Sequence, residues 1–201
     1  SFIHLKSFIT VRIIRGTRRG KKLNPPQGLP VRPTTDMAKE SLFNIIENYY
    51  DLDGVSVLDL FSGTGSISYE FASRGASSVL AVEMNQKAAD YIRITANQLE
   101  FQQLSVIRGD VFHYLKGATR KFDLIFADPP YDLAEGALVP DLVFDRQLLN
   151  AEGMLVLEHS IAVDYSTHPN FFSERKYGKV HFSFFSAEPQ SEEETESDSM
   201  D

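Results

Sequence analysis

The sequence holds 201 residues, enough for one domain with a sizeable core, and its 42% hydrophobic and 24% charged residues are those of an ordinary soluble globular chain. No apolar run approaches the roughly 18 residues that span a bilayer, and the start, "SFIHLKSFIT", lacks the apolar core and cleavage site of a signal peptide. There are no cysteines, which excludes disulfides and thiolate metal sites and suits a cytoplasmic protein. His4, His113, His159, His168 and His181 show no ligand-like spacing, so no metal site is expected.

The net charge of -8 is unevenly spread. Residues 1–35 carry eight basic side chains and no acid, whereas residues 188–201, "EPQSEEETESDSMD", carry seven acids and no base. Three segments are expected: a basic N-terminal arm over 1–35, a catalytic domain over 36–187, and an acidic disordered tail over 188–201. A solvated surface seldom excludes every acid. A phosphate-contacting surface does, so Arg12, Arg15, Arg18, Arg19, Lys21, Lys22 and Arg32 are candidate nucleic-acid-binding residues.

In chain order, the arm reads as two short extended runs, "TVRIIRG" and "RRGKKL", around basic turns. "NPPQGLPVRPTT" cannot be a regular helix. Thr35 or Asp36 then caps a helix in which Met37, Leu42, Phe43, Ile45 and Ile46 recur at helical spacing. "VSVLDLF" is a strand, "GSISYEFASRGA" a helix stopped by Gly75, and "SSVLAVEMN" a second strand. "QKAADYIRITANQLE" is a helix with Ala88, Ala89, Ile92, Ala96 and Leu99 on one face; "LSVIRGD" is a third strand, and "FHYLKGA" a short helix. "FDLIFADPPY" is a fourth strand, a helical stretch spans 134–149, and "GMLVLEHS" is a fifth strand. Runs near 171–177 and 178–186 read as an antiparallel pair. Strands alternating with helices predict an α/β fold, a parallel sheet covered on both faces, with ligands beyond the strands' carboxyl ends.

Four of these strands are read as ending in Asp59, Glu83, Asp110 and Asp128. In "DLFSGTGS", Gly63 and Gly65 let the backbone turn sharply beside a ligand. The third glycine of a dinucleotide fingerprint is missing, since Ser68 stands there. Glu83, twenty residues after Gly63, is placed to accept from ribose hydroxyls, and Asp110 from an adenine amino group. Three acids at successive strand ends suit one adenosine.

"DPPY" adds a clamp. An amine on an aromatic base is a poor nucleophile because its lone pair is delocalised. Two acceptors on its two hydrogens hold that lone pair toward an electrophile. Asp128 offers a carboxylate and Pro129 a carbonyl. The prolines supply rigidity and no competing donor, and Tyr131 offers a face for a planar base, worth roughly 1–3 kcal/mol.

"DLFSGTG", Glu83, "GDVF" and "DPPY" resemble, in order and spacing, the motifs of class I S-adenosylmethionine-dependent methyltransferases of exocyclic amines. "RIIRGTRRGKKL" and "RPTTDMAKESLFNII" narrow the resemblance, over roughly 11–186, to the bacterial small-subunit (16S) rRNA guanine-N2 methyltransferases, the RsmD family. Ser62 and Tyr69 are its minor departures. The resemblance implies a Rossmann-like, seven-stranded, mostly parallel sheet with helices on both faces and a small N-terminal β arm. It implies S-adenosylmethionine as cofactor, S-adenosylhomocysteine as product, and a guanine N2 amine of small-subunit rRNA as acceptor. The cofactor would meet Asp59, Phe61, Gly63, Gly65, Glu83, Met84, Asp110 and Val111. Asp128, Pro129 and Tyr131 would hold the unstacked base. The partner implied is ribosomal RNA, within a partly assembled small subunit, met by a monomer.

Three other readings stay open on the residues alone. A nicotinamide-dependent oxidoreductase leaves "DPPY" unexplained. An amino methyltransferase of adenine or cytosine, in RNA or DNA, shares the clamp. A non-catalytic RNA-binding module would keep the fold without the chemistry.

Overall fold

The computed structural model describes residues 10–29 and 34–188. Arg32 and the acidic tail beyond Glu188 therefore lie outside the described residues. The arm forms a two-stranded antiparallel sheet, β1 (Val11–Arg12) with β2 (Lys22–Leu23). Helix α1 (Asp36–Tyr49) follows, with Thr35 as N-cap, its side chain accepting from the Ala38 N–H.

Then come β3 (Ser56–Leu60), α2 (Ser66–Ser73), β4 (Ser78–Glu83), α3 (Gln86–Gln98), β5 (Leu104–Arg108), α4 (Val111–Gly117) and β6 (Phe122–Ala127). A 3-10 turn (Ala134–Leu138) leads into α5 (Val139–Asp145). β7 (Leu149–His159), β8 (Phe171–Tyr177) and β9 (Val180–Ser186) complete the chain. The seven-stranded sheet has the order β5-β4-β3-β6-β7-β9-β8, parallel except for the final β7-β9-β8 pairings. The expected seven-stranded, mostly parallel architecture is found.

Alternation along each strand divides the core into two layers. Val57, Val79, Phe126 and Val156 pack with Leu42 and Phe43 of α1, Ile67 and Phe71 of α2, and Ile92 of α3. Leu58, Leu80, Ile125 and Leu157 pack with Leu115 of α4 and Val143 of α5. Val11, Ile13 and Leu23 belong to the first layer, so the arm shares the catalytic domain's core.

Several sequence expectations shift. The third strand stops at Arg108, and Asp110 instead caps α4, accepting from the His113 N–H at 2.7 Å. The helical stretch of 134–149 is a 3-10 turn and a short helix ending at Asp145; Gln147 then adopts φ 52° and the chain turns into β7. Met37 is 78% exposed, because the buried stripe of α1 runs through Ala38, Lys39, Leu42, Phe43 and Ile46.

Lys39 is buried, contrary to the usual solvated lysine. Its ammonium donates to the Arg12 carbonyl and the Ser66 hydroxyl and lies 3.6 Å from Glu70. Glu70, fully buried in α2, accepts from the backbone N–H groups of Ile14 (2.9 Å) and Arg15 (3.0 Å). Arg74 closes the cluster, its Nε 2.8 Å from Glu70 and its guanidinium over the Phe43 ring. At Gly16 (φ 83°) any Cβ would collide with the Ser73 carbonyl, so only glycine permits so close an approach of arm to α2.

Candidate active site

The carboxyl ends of β3, β4, β6 and β7 open into one cavity of about 1130 Å³. Two of the strand-end positions are fixed by register. Asp59 pairs with Phe126 and Leu60 with Ala127, so the glycine turn and the proline corner leave neighbouring strands together. The Asp128 N–H reaches the Leu60 carbonyl at 3.4 Å.

At one end lies the glycine turn. Phe61 takes φ 59°, a left-handed conformation costly for a bulky residue, and Gly63 and Gly65 take φ 55° and 82°. Strain of this kind persists where surrounding contacts over-determine it, and here Phe61 alone bears it, since glycine takes such angles freely. Gly65 is the N-cap of α2; a Cβ there would meet the Tyr69 ring at 2.7 Å. It shapes the turn from behind and is not among the residues lining the cavity. The Glu83 carboxylate accepts from the Gly63 N–H at 2.8 Å and the Asn85 N–H at 2.7 Å. Both bonds leave further lone pairs on its oxygens.

Asp59, beneath the turn, is 1% exposed and accepts from the Ser68 hydroxyl. Burial pushes its carboxyl up to about 7, opposed by the Ser68 hydrogen bond and reinforced by the nearby Glu83 charge. Ser68, which spoils the dinucleotide fingerprint, thus has its own task as donor to Asp59. Phe61 and Phe112 meet edge to face, centroids 5.9 Å apart, beside Val111, Met84 and Asp110. Together they make an apolar slot with carboxylates at its rim, a shape suited to a flat heterocycle bearing a ribose.

At the other end stands the proline corner. Pro129 is buried, Asp128 half-buried, and Tyr131 43% exposed. The corner turns through a bond from the Leu133 N–H to the Pro130 carbonyl at 2.9 Å. Gly136 backs it closely; a Cβ there would lie 2.9 Å from Pro129. The Tyr131 hydroxyl donates to Glu158 Oε1 at 3.2 Å.

A family model described as Conserved hypothetical protein 95 matches residues 11–186. The chain belongs to that family. YlbH of Bacillus subtilis is 35% identical over 77% of this chain and 85% of its own length. Ribosomal RNA small subunit methyltransferase D of Haemophilus influenzae is 33% identical over 74% of this chain and 78% of its own. The solved structure of yhhF from Escherichia coli, 26% identical, superposes with TM-score 0.79 over 90% of this chain and 99% of that one. The resemblance read from the glycine turn, "DPPY" and the arm is thereby borne out, and the fold is the Rossmann-like one it implied.

Of the cofactor candidates, Asp59, Phe61, Gly63, Glu83, Met84, Asp110 and Val111 line the cavity, as do Asp128, Pro129 and Tyr131. Sequence reasoning passed over Phe112, Lys116, Thr34, Thr35 and Glu158, which line it too. Phe112 stood inside the quoted "GDVF". Glu158 carried a signal as well, an acid closing the apolar run "MLVLE", parallel to Asp128 closing "LIFAD".

The arm's cations divide into two sets. Arg12 pairs with Asp36 at 2.8 Å, Arg15 with Glu47 at 3.4 Å, and Arg18 with Glu100 at 2.7 Å and the Leu99 carbonyl. Arg19, Lys21 and Lys22 are exposed and have no acidic partner within ion-pair distance among the described residues.

Proposed function

We propose that this protein transfers a methyl group from S-adenosylmethionine to the exocyclic N2 amine of a guanine in small-subunit ribosomal RNA. The observation that carries the reading is one cavity with an adenosine-shaped end and an amine-clamping end, joined across adjacent strands β3 and β6. The family relatives named small-subunit rRNA methyltransferase D support the substrate class.

S-adenosylmethionine supplies an electrophilic methyl on a sulfonium, and transfer leaves the neutral thioether S-adenosylhomocysteine. Glu83 holds the ribose, Phe61 and Phe112 flank the adenine, and Asp59 faces the cationic methionine end. Asp128 and the Pro129 carbonyl take the two amine hydrogens and aim the nitrogen lone pair at the methyl carbon. Once methylated, the nitrogen would have one proton to shed, and Asp128 or water would take it. Tyr131 supports the extruded base. Asp128 acts mainly as an orienting acceptor. Arg19, Lys21 and Lys22 contact RNA phosphates, and a partly assembled small subunit is the preferred substrate.

Incubation with labelled S-adenosylmethionine and small subunits from a strain lacking this gene, followed by nucleoside mass mapping, should yield N2-methylguanosine. Methylation of adenine or cytosine instead would replace the base assignment, and absence of any methyl incorporation would leave the non-catalytic RNA-binding reading.

A further inference from the structure

We propose that Glu158 is the residue that selects guanine, by accepting the ring N1–H beside the clamped amine; this rests on the methyl-transfer reading above. The register of β6 and β7 pairs Phe126 with Val156 and Ala127 with Leu157. Asp128 directly follows the last paired residue of β6, and Glu158 that of β7, so the two stand at the same end of neighbouring strands, about 4.8 Å apart where they pair. Val156 faces the layer of α1, α2 and α3, and Glu158, two residues on in β7, shares its face. Both line the same cavity.

Glu158 is 7% exposed and holds the Tyr131 hydroxyl. Two carboxylates at the same end of neighbouring strands form an acceptor-rich wall, best met by a ligand edge made of donors. Adenine, cytosine and guanine all carry an exocyclic amine. Adenine sets the bare N1 beside it and cytosine the bare N3, each of which would oppose its lone pair to the carboxylate. Guanine alone sets an N–H beside its amine. With Asp128 and the Pro129 carbonyl on N2, the neighbouring carboxylate falls to N1–H. A buried acceptor left facing a lone pair is a strong rejection.

The test uses the full-length chain, labelled S-adenosylmethionine, and small-subunit particles reconstituted with either guanine or 2-aminopurine at the mapped position. 2-Aminopurine keeps the 2-amine but has a bare N1. Wild type should prefer guanine by roughly 10²-fold or more. Glu158→Gln should lose about 10–100-fold on guanine. It should also narrow the preference at least as much, because the Gln amide can donate to a bare N1. Cofactor affinity and melting temperature should stay near wild type. Tyr131→Phe, which removes only the hydroxyl, should keep the guanine preference. Equal loss on both bases in Glu158→Gln, or an unchanged guanine rate, overturns the assignment. So does wild-type enzyme that methylates 2-aminopurine as well as guanine, a result that needs no variant to fold. If wild type forms no N2-methylguanosine on the guanine particle, the parent reading fails instead.

Discussion

The backbone N–H of Gly63 donates to Glu83 Oε2 at 2.8 Å, fastening the glycine turn after β3 to the end of β4. One carboxylate therefore shapes the turn, and in the proposed complex it also holds the ribose. Glu83→Ala should weaken S-adenosylmethionine and S-adenosylhomocysteine binding by about 1.5–3 kcal/mol, the worth of a charge-assisted hydrogen bond. Calorimetry checks it; affinity equal to wild type would remove Glu83 from the cofactor site.

In the proposed reaction Asp128 acts on the acceptor amine rather than the cofactor. Asp128→Ala should lower turnover by about 10²–10³-fold while S-adenosylmethionine affinity changes little. Single-turnover methylation of small subunits, alongside cofactor titration, separates the two. A near wild-type rate would contradict the clamp.

Asp59 ties cofactor binding to pH. Its carboxyl is raised from an ordinary 3.8 to about 7 in the folded chain. An acid with a raised folded value binds its proton more tightly when folded. Its contribution to stability is fully present below the unfolded value and is lost as pH rises toward 7. A cationic cofactor favours the ionised form, so affinity should rise between about pH 6 and pH 8 with proton release on binding. Asp59→Asn should flatten both trends in melting curves and in calorimetry across buffers of different ionisation heat. A wild-type affinity flat over that range would place the titration elsewhere.

The two sets of arm cations make a separable prediction. Reversing Arg19, Lys21 and Lys22 to Glu should weaken small-subunit binding and flatten its salt dependence by roughly 0.7–0.9 per lost phosphate contact. Cofactor affinity and melting temperature should be unchanged, because these side chains hold nothing inside the protein. Reversing Arg18 would confound the result, since its guanidinium also grips the Leu99 carbonyl. Unaltered binding by the triple variant would reduce the arm to a solvated edge.

Glu70→Ala should destabilise the fold by about 3–5 kcal/mol, because Lys39, Arg74 and two backbone amides lose a buried partner together. Chemical denaturation measures it. A loss below about 1 kcal/mol would mean that water enters and replaces the carboxylate.

Much of this was legible in the sequence because it is local or periodic. The alternation of "VSVLDLF", "SSVLAVEMN" and "FDLIFADPPY" with amphipathic helices carries the parallel sheet, and its acids fall near the strand ends. What escaped depends on distant partners. Nothing adjacent in sequence announces that Lys39 and Glu70 are each other's buried counterpart. The ion pairs of Arg12, Arg15 and Arg18 were equally illegible, because Asp36, Glu47 and Glu100 lie up to 82 residues away. Glu158 carried a local signal, as the acid closing "MLVLE", but its place in the same cavity as Asp128 depends on the pairing of β6 with β7.

The hydrogen bonds of Ile14 and Arg15 to Glu70 span 56 and 55 residues, which sets an order of assembly. During synthesis the arm leaves the ribosome first, but its acceptor is absent until α2 has followed. The arm therefore completes its docking only after the glycine turn and α2 have followed it. A nascent chain halted before Glu70 would display the backbone donors of Ile14 and Arg15 without their acceptor, beside the very RNA-rich particle that made it. Arm closure onto α2 therefore waits on Glu70, and it follows completion of the glycine turn next to Ser66, whose hydroxyl accepts from Lys39.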